Sequence, residues 1–598
     1  MSAKTITNIL AGVVVLGLII YAVGGFTGGD DDDQASDDES ATTDEANDDL
    51  TSDEVEMDAE EEELQEVSIE SPGGYGISSS DPHAAEVGST ILEQGGNAAD
   101  AVIAMSFTLG VTENQGSGLG GGGASLVLED GNVPVFYDYR ETAASTDPED
   151  MIAVPGFARG MQELYDNHAS GNFTIEELID PAIQFAEEGY EMDDLQALGL
   201  ERADYRISAD MAPPLFPNGT PAVEGTTIIQ PELAETMRTL QNNGLNDFYE
   251  GEIAQNITEQ VDHLSSADLQ GYEVETREPV HGNFENYDLY SAPPPLSGIT
   301  FIHILEMAER VGIEELMEDE PNSEYVHVLS EIIREADFQR MEFMGDPNFY
   351  PEEGYEHWNS NHNPMHQDRL LSNDYLDYMV ETRLPNRDRF EEVRPSVIDE
   401  ASESSDTTHI SVVDADGMSI STTHSLGNFF GSGMMVDGML MNSQLTSGFN
   451  TTEGSPNVIE EGKRPRSFIS PTIVVEENNE EIIVMGSPGG NRIPAMMAQT
   501  MLRHAYLDET YAESVNASRF FAEYDPENEE DRVILESPLH EIPGLRADLE
   551  EIGYLTTVTS SRTAFGSLET IYVNSLENKV QGISDSRRAG SAIVDEVE

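Results

Sequence analysis

Residues 407–425 constrain the fold more than any other stretch of this 598-residue chain. Thr407–Val413 (TTHISVV) and Met418–Ser425 (MSISTTHS) are rich in β-branched side chains, which suit a pleated, half-buried surface. Between them lies Asp414-Ala-Asp-Gly417, a run of turn-forming residues. A hairpin centred near Ala415–Asp416 places Thr407 opposite His424 or Ser425. In the second register, a hydroxyl at the start of one strand meets a hydroxyl at the end of the next. Alone, an ordinary Thr/Ser-rich hairpin shows the same pattern.

A second region gives the hairpin a chemical context. Ile482–Met485 is an apolar run of strand type, followed by Gly486-Ser-Pro-Gly-Gly490 and a helical pattern from about Ile493. A strand, a glycine turn and a helix start expose backbone N–H groups at a positive helix end. Such donors stabilise an oxyanion during acyl transfer. Gly116–Gly123 (GSGLGGGG) formally contains G-x-G-x-x-G, but it follows a helical pattern and no P-loop Lys-Ser/Thr pair follows it. Nucleotide binding is therefore not expected. His83–Val111 reads as helix interrupted once at Gly95-Gly96, with the small residues Ala98, Ala99, Ala101 and Ala104 suited to close packing. Ser125–Leu128 and Pro134–Asp138 read as short strands, the second ending just before Arg140. From Pro155 to about Leu305 the pattern is of helices alternating with loops. A helical region containing Glu335, Asp337 and Arg340 then closes at Gly345-Asp346-Pro347.

The chain carries 117 acidic against 27 basic residues, a formal net charge of −90. That excess repels nucleic acid phosphates and anionic lipid heads, so neither is an expected partner. It runs through the body, as in Glu187–Asp194 and Glu523–Asp531, and not only through a tail. In roughly molar salt the Debye length shrinks to about 3 Å and the self-repulsion is screened, so the acidity reads as adaptation to a salt-rich setting. The chain has no cysteine, which excludes disulfides, thiolate metal sites and a cysteine nucleophile. Ile6–Phe26 is uncharged and apolar, about the length of a bilayer span, with Lys4 before it and Asp30–Asp33 after it. Residues 1–28 are thus expected to be a membrane anchor with the body outside, or a signal cleaved near Ala22-Val23-Gly24. Residues 29–66 are expected to be an acidic, disordered tether.

Taken in order, several stretches resemble the gamma-glutamyltranspeptidase family. They are GGNAADAVIA (Gly95–Ala104), SGLGGGG (Ser117–Gly123), DYRET (Asp138–Thr142), VPG (Val154–Gly156), PPPLSG (Pro293–Gly298) and GDPNF (Gly345–Phe349). TTHISVVDADG (Thr407–Gly417), FFGSG (Phe429–Gly433), SPT (Ser470–Thr472) and GSPGGNRI (Gly486–Ile493) continue the series, so the resemblance covers roughly Pro82–Gly590. It implies an α+β, four-layer αββα fold of the N-terminal-nucleophile hydrolase type. It further implies self-cleavage between Asp406 and Thr407, giving a large-subunit portion (67–406) paired with a small-subunit portion (407–598). Thr407 would then carry a hydroxyl nucleophile and a free α-amine with a reference pKa near 8, able to act as the base. His409 beside it is expected to be structural.

Carried over residue by residue, Arg140 matches the arginine holding the glutamyl α-carboxylate, and Ser467 a serine that assists it. Gly489 and Gly490 match oxyanion donors, and Gln444 a glutamine near the glutamyl amino group. Ser425 stands where the family has a threonine buttressing the nucleophile. Neither a metal nor a cofactor is implied. The expected partners are a γ-glutamyl donor, small or polymeric, and an amine or water acceptor. Three departures bear on the donor. Gly427 replaces an asparagine that helps bind the α-amine, Thr446-Ser447-Gly448 replaces paired aspartates, and Phe468 replaces a second serine. A buried ammonium without a carboxylate partner typically costs a few kcal/mol. The departures therefore point to a donor with a carboxylate but no free α-amine, such as an internal unit of poly-γ-glutamate or a glutaryl-type amide. Glu453 on a shifted loop is the alternative amine ligand. From another class, an inactive surface-binding protein on the same fold is the rival expectation.

Overall fold

A computed structural model describes residues 64, 67, 72–147, 150–203, 205–318, 320–350, 365–384, 405–450, 454–525, 530–561 and 564–595. The expected anchor, nearly all of the expected tether, and Glu453 lie outside these residues. No helix among the described residues is long and apolar enough to cross a membrane.

Two sheets lie face to face. The strands of the first are Tyr75–Ser79 (β1), Gly122–Leu128 (β2), Val135–Tyr139 (β3), Glu275–Arg277 (β4), Ser405–Val413 (β7), Ser419–Asn428 (β8) and Ser591–Asp595 (β13). Across the sheet they run β13-β1-β7-β8-β2-β3-β4. The second sheet contains Val280–Phe284 (β5), Tyr287–Ser291 (β6), Thr472–Glu476 (β9), Glu481–Gly486 (β10), Glu569–Asn574 (β11) and Lys579–Ser584 (β12), in the order β12-β11-β10-β9-β6-β5. Leu126, Phe136, Ile473, Val484 and Ile571 fill the space between the sheets. Helices Pro82–Glu93 (α1) and Ala98–Thr112 (α2) cover the outer face of the first sheet. Helices Gly298–Val311 (α3) and Ile493–Tyr506 (α5) cover the second, with Ser323–Phe343 (α4) packed on α3. The result is the expected αββα order of layers.

Local chemistry explains the elements around the site. α2 is buried along its whole length, which its alanines permit. A capping box between Asn97 and Asp100 starts it. The gap at Gly95-Gly96 separates α1 from α2 as expected. β5 and β6 fall within the stretch expected to hold only helices and loops, and correct that expectation. Val280, Gly282 and Phe284 are buried while His281 and Asn283 are not, an ordinary strand alternation. Their turn, however, contains no glycine and uses Glu285 at φ +52°, so the usual hairpin signal is absent.

Candidate active site

Strand alternation sorts the hairpin's side chains. Ile410 and Val412 face the helices and join their core. Residues of the other parity, Thr407, His409 and Ser411 in β7 and Ser421, Thr423 and Ser425 in β8, face the second sheet. Thr407 pairs with Ser425, the second of the two expected registers. Gly122 lies opposite Ser425 on the far side of β8, and Tyr139 pairs with Gly123 next to it. Thr407, Ser425, Gly122 and the residue after Tyr139, Arg140, therefore step across four adjacent strand ends about 5 Å apart.

The Asp406–Thr407 peptide is continuous inside β7, and the opposing strand bulges between Ser425 and Gly427. Gly427 takes φ +90° and donates its N–H to Ser425 Oγ at 3.0 Å. Thr407 is buried, and its Oγ1 has no hydrogen-bond partner among the described residues. It opens onto a cleft of about 530 Å³, mouth included. Ser425, Gly427, Gln444, Ser447 and Gly448 line one part of this cleft, and Ser467, Phe468, Gly490 and Asn491 another.

The glycine turn follows β10 as expected, leading through a short 3-10 turn at Gly490–Arg492 into α5. Gly489 and Gly490 both have positive φ, +141° and +59°, a region that favours glycine. A side chain on Gly489 would also meet the Gly566 backbone at 3.0 Å. Gly490 lines the cleft, whereas Gly489 and Arg140 stand outside its lining. Arg140 is 1% exposed, with Nη2 3.2 Å from Glu141, and its Nε and Nη1 have no hydrogen-bond partner among the described residues. Burial pushes the Glu141 carboxyl up, opposed by the charge of Arg140.

His409 is accounted for by its neighbours. Ser411 Oγ donates to the Glu569 carbonyl at 2.9 Å and so can only accept from His409 Nε2, 3.1 Å away. Nδ1 is then left to accept from Thr423 Oγ1 at 2.8 Å. Burial pushes this histidine down to about 3, with His424 adding to the effect. A neutral ring with both nitrogens engaged is a strut beneath Thr407. Gly486 serves it: a Cβ there would sit 2.2 Å from His409 Cε1.

Arg466 and Asn491 also line the cleft and were not anticipated. Arg466 Nη1 donates to the carbonyls of Arg340 (3.1 Å), Met341 (2.9 Å) and Met344 (3.3 Å), capping the end of α4. In return, the Arg340 guanidinium lies over the Phe468 ring, 3.5 Å from its centroid. No local signal reveals this exchange, because its partners are far apart in the chain.

The surroundings of Gly427, expected to have lost an amine ligand, consist of neutral groups. A Cβ on Gly427 would lie 2.7 Å from both Ser443 Oγ and Ser447 Oγ. Ser447 Oγ donates to the Ser443 carbonyl at 2.9 Å, so it offers lone pairs to anything else it meets. No Asp or Glu is among the described residues lining the cleft.

Comparison with known proteins places the chain in a family. The family described as Gamma-glutamyltranspeptidase matches residues 84–595. The chain is 34% identical over 526 residues to the capsule biosynthesis protein CapD proenzyme of Bacillus anthracis, covering 87% of this chain and 90% of that one. It is 29% identical over 552 residues to the glutathione hydrolase proenzyme of Escherichia coli (strain K12), covering 86% and 90%. The crystal structure of cephalosporin acylase from Bacillus halodurans superposes with a TM-score of 0.71 over 87% of this chain and 96% of that one; at 22% identity this likeness concerns the fold. Because the family match spans nearly the whole described body, the chain belongs to the gamma-glutamyltranspeptidase family and is an enzyme of the gamma-glutamyltransferase and glutathione hydrolase type.

Proposed function

We propose that the chain cuts itself between Asp406 and Thr407 and then transfers or hydrolyses γ-glutamyl groups through an acyl-enzyme on Thr407. The observation that carries this reading is Thr407 Oγ1, without a hydrogen-bond partner among the described residues, beneath a cleft that Gly490 also lines. In the first reaction, Oγ1 adds to the Asp406 carbonyl carbon and its proton passes to the departing Thr407 nitrogen, converting the peptide to an ester and freeing the α-amine. Water then splits the ester, releasing the Asp406 carboxylate and restoring the Thr407 hydroxyl beside the free α-amine. In the second, that amine takes the Oγ1 proton as Oγ1 attacks the donor's γ-carbonyl. Backbone N–H groups of Gly489 and Gly490 stabilise the oxyanion, and the proton passes to the departing amine. Water or an acceptor amine releases the acyl group. The relatives' designation as proenzymes accords with the first reaction.

The finer reading concerns the donor. Neutral acceptors where an ammonium would sit suit a nitrogen that is already an amide, as in an internal unit of poly-γ-glutamate or a glutaryl-type amide. The 34% identical relative, named for capsule biosynthesis, accords with a polymeric substrate. An apolar segment at Ile6–Phe26 would tether such an enzyme to the membrane, with its body outside.

Two measurements test the proposal. Intact masses of wild type and Thr407→Ala in roughly molar salt should show two chains for the first, the smaller beginning at Thr407, and one for the second. A folded but uncleaved wild type would instead favour a binding protein. For the donor, kcat/KM should rank poly-γ-glutamate above glutathione and γ-glutamyl-p-nitroanilide. A strong preference for glutathione would sink the acylated-donor reading.

A further inference from the structure

The groups proposed to grip the donor come from opposite sides of the bond proposed to be cut. Arg140 precedes Thr407, and Ser467 follows it. Once that peptide is broken, only non-covalent contacts keep the two in register. A buried network connects them. Asp138 is fully buried; its Oδ1 accepts the Arg140 backbone N–H at 3.0 Å and lies 3.5 Å from Arg464 Nε. Asp346, also fully buried, accepts the Arg464 backbone N–H at 2.9 Å. Arg464 Nη2 donates to the Glu273 carbonyl at 2.6 Å, and Nη1 is 3.6 Å from Glu275. Every one of these partners lies in the portion before Thr407, whereas Arg464 lies in the portion after it, three residues before Ser467.

Arg277 ties in the far side of Ser467. Its Nη2 is 3.4 Å from Asp346 Oδ1, and its Nη1 donates to the Pro294 carbonyl at 2.8 Å. The neighbouring Pro295 carbonyl accepts the Ser467 N–H at 3.1 Å, and Ser297 Oγ donates to the Ser467 carbonyl at 2.6 Å. The Arg140 carbonyl is held too, by the Tyr272 hydroxyl at 2.9 Å. Both ends of the network are thus backbone atoms of the two residues proposed to hold the donor carboxylate.

We propose that Asp138 and Arg464 form an inter-subunit lock that sets the spacing of Arg140 and Ser467, making them positioning residues for recognition of the donor carboxylate. A planar guanidinium suits the task because it holds several acceptors at fixed angles, which a lysine ammonium does not. Burial alone would weaken the charge on Arg464, but the carboxylates of Asp138, Asp346 and Glu275 outweigh it and keep the group protonated. Buried pairs are screened far less by salt than exposed ones, so the lock survives conditions that mask the chain's net charge.

The lock rests on the proposed roles of Thr407, Arg140 and Ser467, and the test keeps the two apart. Two anilides are compared on the processed enzyme: N-acetyl-γ-glutamyl-p-nitroanilide, and 4-acetamidobutyryl-p-nitroanilide, which lacks only the carboxylate. Arg464→Gln and Asp138→Asn should still self-process, with their subunits co-eluting on size exclusion. KM for the carboxylate donor should rise about tenfold or more while kcat changes little, and the carboxylate-free donor should be nearly unaffected. The double variant should be no worse than Arg464→Gln alone, as expected for residues acting as one unit. Arg464→Lys should recover part of the loss. Equal losses on both donors, or additive effects of the two single variants, would overturn the lock. If Arg464→Gln does not fold, Arg464→Lys is measured on the same pair, and unchanged discrimination there overturns it equally. A wild type that does not distinguish the two donors would count against the carboxylate roles themselves.

Discussion

Replacing Glu569 with glutamine should remove a pH dependence of stability that the buried carboxyl imposes. Glu569 opens β11, opposite Gly486, and is fully buried. Ser567 Oγ donates to its Oε1 at 2.6 Å, and its Oε2 lies 2.8 Å from Ser78 Oγ. Ser78 Oγ is also 3.1 Å from the Ile583 carbonyl and has a single proton. A protonated carboxyl resolves the competition: it donates to Ser78, which donates to Ile583. Burial, partly offset by the hydroxyl contacts, pushes the group from 4.5 up to about 8. The unfolded chain surrenders this proton above 4.5 while the folded chain keeps it, so stability falls as pH rises toward 8. At about 1.4 kcal/mol per unit the whole span amounts to roughly 5 kcal/mol.

His409 and His424 act with the opposite sign, since burial holds both down to about 3 from 6.5. Their contribution is complete above 6.5 and is lost as pH falls from there toward 3. In the interval from 6.5 to 8 Glu306, which burial pushes up to about 7, contributes a loss of the same sign as Glu569. The Glu569 share of about 2 kcal/mol is therefore read as the difference between proteins with and without its carboxyl. Urea unfolding of the Thr407→Ala precursor, which remains one chain, would be compared with and without Glu569→Gln at both ends of that interval, in roughly molar salt. The parent should lose about 2 kcal/mol more than the glutamine variant. Equal pH slopes in the two proteins would refute the assignment of a buried neutral carboxyl.

Three further outcomes are expected. Gly486→Ala drives a methyl to 2.2 Å from His409 Cε1, so it should cost about 1–3 kcal/mol and slow self-processing. An unchanged melting temperature with normal processing would contradict the strut role of His409. Ser447→Asp places a carboxylate beside Gly427 and should raise kcat/KM for free γ-glutamyl donors by about tenfold relative to N-acylated ones; an unmoved ratio would remove Ser447 from the donor site. Lowering salt from roughly molar to about 0.01 M lengthens the Debye length from about 3 to 30 Å and should lower Tm, because the chain carries a net charge of −90. A Tm independent of salt over that range would show that its charges are balanced locally.

Much of the site was legible from sequence because it is built from contacts close along the chain. The turn at Asp414–Gly417 restricts the hairpin to two registers, and one of them brings Thr407 against Ser425. The glycine turn before α5 is likewise local, since left-handed φ at Gly489 and Gly490 is a preference of residue type. Local signals also misdirect. Gly486 belongs to a strand, and its missing side chain makes room for a ring that arrives from another sheet. β5 and β6 were hidden because Glu285 forms their turn without glycine and β9 supplies the neighbouring strand from far along the chain. The capping of α4 by Arg466, the ring of Phe468 under Arg340 and the grip of Asp138 and Asp346 on Arg464 all join residues more than a hundred positions apart. By itself the sequence determined the hairpin that carries Thr407, the glycine turn at Gly489-Gly490 and the excess of acid. Only the tertiary structure decided what stands behind and across from them, because a guanidinium selects its acceptors by distance and angle in space, and spacing along the chain carries neither.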